Sequence, residues 1–334
     1  MGFSARLKTG CEALDLACEG GLVVGTISQV FGEKGLGKSI LSLQAACSAV
    51  AQGYSAIILD TEQSYASSLV PYWLSRLSAR FSCEVCVERA ALEREPKAHR
   101  RRVSRSQLLT ALAGALNGLG ISYHEEQLRL AADALCQELT VRHEAKPPCM
   151  LLLEAPDVLD LLALHGVEAA LEVTGGGRVD IRLKRAPLAA SPLRRLASEL
   201  GAKLLIYDSF SSPFKGLFGA TQSLPARSAA MAMALSHAQR LCSELGLAVL
   251  AISHASINPT QPFDRRPYGG LVLGHEAKFV FELSRPGLRG LQGAEPLNSA
   301  REGEGARLLW VCRHPALRDY SRFGYVSITE AGVV

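Results

Sequence analysis

The chain has 334 residues, 48% of them hydrophobic and 20% charged, and a formal net charge of +4. This is an ordinary globular balance, long enough to bury one large core or two modest ones, and so mild a charge excess does not by itself argue for a polyanionic partner. No run reaches the roughly eighteen apolar residues of a membrane span, and the opening MGFSARLKTG lacks the apolar region of a secretion signal.

In chain order, GTISQVFG (25–32) reads as a strand feeding a glycine-rich loop, and KSILSLQAACSAVAQG (38–53) as the helix after it, closed by Gly53. SAIILD (55–60), CMLLLE (149–154), KLLIYD (203–208) and LAVLAIS (247–253) are short and continuously apolar. Apolarity without alternation is what a parallel sheet covered on both faces requires. ARSAAMAMALSHAQRLCSEL (226–245) has the length and periodicity of an amphipathic helix. KFVFELS (278–284), RLLWVCR (307–313) and RFGYVSI (322–328) then read as an antiparallel extension of the same sheet. The expected fold class is α/β: a mostly parallel central sheet, helices on both faces and a C-terminal antiparallel extension, in one domain over 1–334.

Residues 76–147 interrupt this rhythm. RSQLLTALAGALNGL and SYHEEQLRLAADALCQEL are helical patterns, the second opening with Ser122 and Glu125 at capping-box spacing. The block reads as a helical insertion, and its 12 basic and 9 acidic side chains hold three of the four net charges. A smaller insertion is expected over 165–192, where GGGRVDIRLKRAP reads as a hairpin or loop. The nine cysteines are scattered and odd in number, as reduced, mostly buried residues would be. Cys83 and Cys86 form a C-x-x-C, but no second ligand pair follows, so packing is the reading. The expected location is cytoplasmic, or nuclear in a eukaryote.

GEKGLGKS (32–39) fits the pattern G-x-x-x-x-G-K-[ST] between a predicted strand and a predicted helix. Such a loop turns its backbone N–H groups into a ring around phosphate oxygens, and the helix adds its N-terminal dipole. Gly32, Gly35 and Gly37 permit the tight turns, and Glu33, Lys34 and Leu36 complete the loop. Lys38 reaches the β- and γ-phosphates, while the Ser39 hydroxyl binds Mg²⁺. Asp208, ending an apolar strand, is the acid expected to hold the metal through water. Glu62, two residues past the strand-end Asp60, is placed to orient and deprotonate the attacking water. His254 follows LAVLAIS directly, at the same carboxyl edge of the sheet, where a polar side chain can sense the γ-phosphate. ATP and Mg²⁺ are the implied cofactors.

Together these residues resemble the RecA/RadA recombinase superfamily. TGCEALDLACEGGLVVGTISQVFGEKGLGKS is similar to the entry of the archaeal and eukaryotic recombinase core. ILDTEQSY resembles its segment carrying the catalytic glutamate, and LLIYDSFSSPF its Mg-binding strand. GGLVLGHEAKFVFELSR and RHPALRDYSRFGYVSITEAGVV resemble the stretch after the second DNA loop and the family's C-terminal ending. The short start and the ending are most similar to the RadB-type archaeal paralogues, and DSFSSPF also resembles eukaryotic recombinase paralogues. The resemblance implies a RecA-like P-loop ATPase core, DNA (single-stranded or branched) as partner, and a RadA-type recombinase as a second one.

There are departures. Strand-exchange enzymes carry a helical DNA-binding domain and an F-x-x-A polymerisation segment ahead of the core, whereas nine residues precede Gly10 here. The family's asparagine-glutamine pair after the fourth strand is Ser253-His254, and the arginine expected soon after Glu62 comes only at Arg76. By position, ASINPTQPFDRRPYGG matches the second DNA loop. Arg265 and Arg266 offer cations to phosphates there, and Phe263 and Tyr268 offer faces to bases. Lys215 and Arg227 bracket the first loop. KAHRRRVSR (97–105) reads as a solvated charge cluster. The reading is thus an ATP-binding mediator of recombination and repair with weak hydrolysis, as a homo- or hetero-oligomer. A full strand-exchange ATPase and a KaiC-like signalling ATPase without DNA are the alternatives.

Overall fold

The structure, a computed structural model, describes residues 5–65, 69–83, 85–96, 113, 137–155, 157–174, 178–185, 187–217, 223–258, 261–268, 276–288, 290–299, 303 and 305–334. The first elements are β1 (Arg6–Leu7), α1 (Glu12–Ala17), β2 (Leu22–Val23), β3 (Ile27–Gly32), α2 (Lys38–Ala51), β4 (Ser55–Asp60) and α3 (Leu69–Phe81). Next come β5 (Val87–Pro96), β6 (Gln137–Arg142), β7 (Met150–Glu154), α4 (Val158–Leu164), β8 (Val167–Thr174), β9 (Arg178–Arg185), α5 (Pro192–Glu199) and β10 (Ala202–Asp208). The chain continues through α6 (Pro213–Leu217), α7 (Leu224–Leu245), β11 (Ala248–Asn258), β12 (Gln261–Pro267) and β13 (Phe279–Ser284). It ends in β14 (Glu295–Pro296), β15 (Ala306–Arg313), β16 (Arg322–Thr329) and β17 (Gly332–Val333).

The main sheet has the order β14-β16-β15-β13-β3-β11-β10-β4-β7-β5-β6, with β12 beside β11 and β17 beside β16. From β13 to β5 every neighbour is parallel. Successive strand residues point to opposite faces, and both faces are covered. Thus Leu204 and Ile206 of β10 join the core beneath α1 and α2, while Leu205 and Tyr207 join the core with α4, α5 and α7. That two-sided burial is why these strands read as unbroken apolar runs. The result is an α/β fold with a mixed, mostly parallel sheet, helices on both faces and C-terminal antiparallel strands, consistent with a RecA-like P-loop core. Among the described residues, no helix is long and apolar enough to cross a membrane.

Three expectations change in detail. KFVFELS is not antiparallel: β13 runs parallel to β3, so the antiparallel extension begins with β15. The block 76–147 holds strand as well as helix, since β5 lies parallel on β7 and pairs antiparallel with β6. VERAALEREP hides its strand character because each half is paired on one side only, 87–90 with β7 and 91–96 with β6, and a strand so placed needs few apolar residues; of its first four, only Ala90 is buried. The KAHRRRVSR run lies outside the described residues, as do the two helical patterns of that block apart from Ala113 and the last three residues of the second, 137–139, which form strand in β6 rather than helix. Within 165–192, β8 and β9 pair as an antiparallel hairpin. Finally, Cys83 is partly buried and Cys86 exposed, so packing does not account for Cys86.

Candidate nucleotide site and its basic neighbour

The carboxyl ends of β3, β4, β10 and β11 meet at one edge of the sheet. In register, Gly32 pairs with His254, and Asp208 with Asp60. Gly32 ends β3 between two strands. A Cβ there would stand 2.3 Å from the carbonyl oxygen of Leu283 on β13, so only glycine lets the strands close up. Gly37 takes φ +94° immediately before α2, a conformation that L side chains rarely adopt. The loop between them therefore turns sharply into the N-terminus of a fourteen-residue helix.

Lys38 is buried and donates from Nζ to the carbonyl oxygen of Glu33 at 2.6 Å. Burial lowers its pKa, opposed by the charges of Asp208, Glu62 and Glu33. Asp208 is buried, and its pKa is raised by that burial, with Glu62 and Asp60 adding to the rise. Tyr65 donates its hydroxyl to Asp208 Oδ2 at 2.6 Å, and the Ser39 side chain also bonds this carboxyl. A crowded carboxyl beside a hydroxyl is oxygen chemistry suited to Mg²⁺. Among the described residues, no cluster of three or more His, Cys, Asp or Glu side chains is arranged to hold a metal. Magnesium shared with nucleotide phosphates needs no such cage.

Glu62 sits on the loop after β4, which the Asp60 carboxylate braces by accepting from the backbone N–H groups of Glu62, Ser64 and Tyr65. Its Oε1 lies 2.6 Å from His254 Nε2 and accepts from the Ser209 hydroxyl at 2.6 Å and from the Ser212 hydroxyl. These contacts push its pKa down to about 2, the His254 bond first, with burial opposing. His254 lies within β11, which runs on to Asn258, rather than after the strand. Ser253, the residue before it, is buried and accepts from Gln29.

Beyond this edge, Lys215 Nζ lies 4.4 Å above the ring of Tyr268, and Arg227 donates to the Tyr268 hydroxyl at 3.0 Å. Burial lowers the Lys215 pKa, and Glu62 opposes that shift. The backbone N–H of Tyr268 donates to the carbonyl oxygen of His254 at 2.7 Å. Arg266 is exposed on β12, opposite Ser256 in the ladder. Phe263 lies in β12, and its side chain is outside the described residues. Arg265 departs from its expected surface position. It is 9% exposed and its Nη2 lies 2.6 Å from Glu33 Oε1, on the phosphate loop itself. Arg76 stacks its guanidinium 3.7 Å over the ring of Tyr72.

The geometry thus gathers Lys38, Ser39, Glu62, Asp208 and His254 at one edge, and Lys215, Arg227 and Tyr268 in a neighbouring group. Sequence reasoning missed Ser209, Ser212 and Tyr65. The hydroxyl-rich DSFSS after Asp208 is the signal that points to the two serines. Tyr65 carries no signal of its own.

Comparison with known proteins fits this arrangement. The family described as "ATPase: KaiC" matches residues 7–70, which contain the phosphate loop and Glu62. The chain is 42% identical over 57 residues to the DNA repair and recombination protein RadB of Thermoplasma acidophilum, covering 17% of this chain and 25% of that protein. The RadB of Methanococcoides burtonii matches to the same extent, and that of Thermoplasma volcanium is 40% identical over 57 residues. The matched stretch spans about a quarter of the length of these relatives. The likeness is that of a P-loop ATPase allied to the recombinase paralogues.

Proposed function

We propose that this protein is a recombinase paralogue of DNA repair and homologous recombination that binds Mg-ATP, hydrolyses it slowly, and uses the bound state to set its grip on DNA. The observation that carries this is a continuous linkage. Glu62 touches His254, the His254 carbonyl accepts from Tyr268, and Tyr268 holds Lys215 and Arg227. A change at the reacting phosphate therefore has a short covalent and hydrogen-bonded route to a pair of cations.

In this reading the loop Gly32–Ser39 binds the phosphates with its N–H groups and Lys38, and Ser39 and Asp208 hold Mg²⁺. When bound, ATP supplies the phosphoanhydride, and Mg²⁺ neutralises its charge. Glu62 orients the attacking water. Its depressed pKa keeps it ionised but makes it a weak proton acceptor, and this supports slow turnover. Lys215, Arg227, Arg266 and Tyr268 form the DNA surface, with Phe263 assigned by position alone. Single-stranded or branched DNA and a RadA-type recombinase are the partners, in a homo- or hetero-oligomer.

The test is the ATPase rate with and without single-stranded DNA, read beside sedimentation. Slow hydrolysis, little stimulated, with no long filaments is expected; strong stimulation with filaments would instead mark a strand-exchange enzyme. Lys38→Ala should abolish nucleotide binding, and retained affinity would overturn the site. A second reading, a KaiC-like signalling ATPase without DNA, is favoured by the family match over residues 7–70. Absence of salt-sensitive DNA binding would select it.

A further inference from the structure

Arg265 is the cation that the nucleotide site does not yet use. It lies on β12, opposite Ile257 of β11, and β12 packs against β3, the strand that delivers the phosphate loop. Its side chain is 9% exposed. A guanidinium carries five N–H donors in a fixed fork. Here Nη2 meets Glu33 Oε1 at 2.6 Å, while Nε and Nη1 are buried with no hydrogen-bond partner among the described residues. Buried donors without acceptors are costly, and a planar fork with open positions is suited to phosphate oxygens. Glu33 engages two cations, Arg265 of β12 through its carboxylate and Lys38 of the loop through its carbonyl oxygen.

We propose that Arg265 is a phosphate ligand supplied from within the chain, held by Glu33 until a nucleoside triphosphate replaces that carboxylate. The proposal rests on the nucleotide reading of the loop given above. Glu33 is the resident anion and the terminal phosphate its competitor; the exchange is one of ion-pair partners, with no bond made or broken. Because Arg265 shares its hairpin with Arg266 and is followed by Tyr268, whose N–H is bonded to His254, the exchange also shifts the segment that presents these side chains.

The test compares fluorescent ATPγS and ADP binding to the full-length chain in excess Mg²⁺, by anisotropy. Arg265→Gln should weaken ATPγS by about ten- to a hundredfold and ADP by less than about threefold, as expected of a charge-assisted contact to the terminal phosphate. Glu33→Gln, which leaves the arginine in place, should tighten ATPγS several-fold relative to ADP; it serves as the second variant if Arg265→Gln does not fold. An unchanged ATPγS-to-ADP ratio in either variant overturns the proposal, as does a loss in salt-sensitive DNA binding with nucleotide selectivity intact. If the wild-type chain binds neither nucleotide, the reading of the loop falls first and this proposal with it; if it binds both and only the variants are silent, this proposal alone falls.

Discussion

His254 Nε2 lies 2.6 Å from Glu62 Oε1, so β11 rests on the loop after β4 although 191 residues separate the two side chains in the chain. Between these strands in the sheet stands β10, whose following residues Ser209 and Ser212 close the same carboxylate oxygen. A carboxylate with three donors on one oxygen is preorganised but reluctant to take a proton, because every donor stabilises its charged form.

His254→Ala therefore removes the largest cause of the depressed Glu62 pKa. Basal phosphate release at pH 7 is expected to rise about two- to tenfold as Glu62 becomes a better base, with any effect of DNA on the rate reduced. Steady-state phosphate release checks this, with Glu62→Gln as the inactive control. A rate below wild type would mean that His254 positions the glutamate rather than restraining it.

Acid should destabilise the fold through His165. This residue is fully buried, bonded from Nε2 to the Tyr207 hydroxyl at 3.0 Å and near the ring of His237. Burial, then His237, pushes its pKa from 6.5 down to about 3. Between these values the unfolded chain binds a proton that the folded chain refuses, so stability falls as pH drops from 6.5 towards 3. The slope is at most about 1.4 kcal/mol per pH unit for one group. Glu62 acts in the same direction lower down, from 4.5 to about 2. Urea midpoints at pH 7, 6, 5 and 4 measure the trend. His165→Phe should flatten the part above pH 4.5, and an equally steep variant would sink the assignment.

Gly32→Ala tests whether the loop's geometry depends on close strand packing. The added Cβ would meet a backbone carbonyl at 2.3 Å, and β3 cannot retreat because β11 pairs on its other side. A loss of about 1–3 kcal/mol in unfolding free energy is expected, as for overpacking elsewhere in cores. A change below about 0.5 kcal/mol by urea denaturation would show that the strands separate easily.

The parallel strands were legible in SAIILD, CMLLLE and KLLIYD because burial on both faces leaves an unbroken apolar run. The phosphate loop was legible because its chemistry needs glycines and Lys-Ser at fixed spacing. β5 was not, since a strand near the sheet's end and rich in Glu and Arg carries the composition of a solvated helix. Nor was the pairing of Arg265 with Glu33, which depends on how the β11–β12 hairpin folds back, and no local pattern in DRRP reports that. The Glu62–His254 contact lies between these cases: each residue was placed at the same sheet edge, but the strand order β3-β11-β10-β4 decides that they touch.

The basic cluster makes a prediction that separates charge from stacking. Lys215 sits above the face of Tyr268 and Arg227 holds its hydroxyl, so the ring is both a platform and an anchor for two cations. If this surface grips DNA, Lys215→Ala and Arg227→Ala should each weaken binding uniformly across sequences and reduce the log–log salt slope by about one. Tyr268→Phe keeps the ring and should preserve most affinity, whereas Tyr268→Ala should cost about 1–3 kcal/mol with a nearly unchanged slope. The backbone bond from Tyr268 to His254 adds a condition: any dependence of DNA affinity on ATP should shrink in His254→Ala while the salt slope stays. Fluorescence anisotropy with labelled single-stranded DNA at several salt concentrations, with and without ATP, measures all of these. Binding indifferent to all four substitutions would remove this cluster from the DNA surface, and nucleotide dependence surviving in His254→Ala would break the link between the two sites.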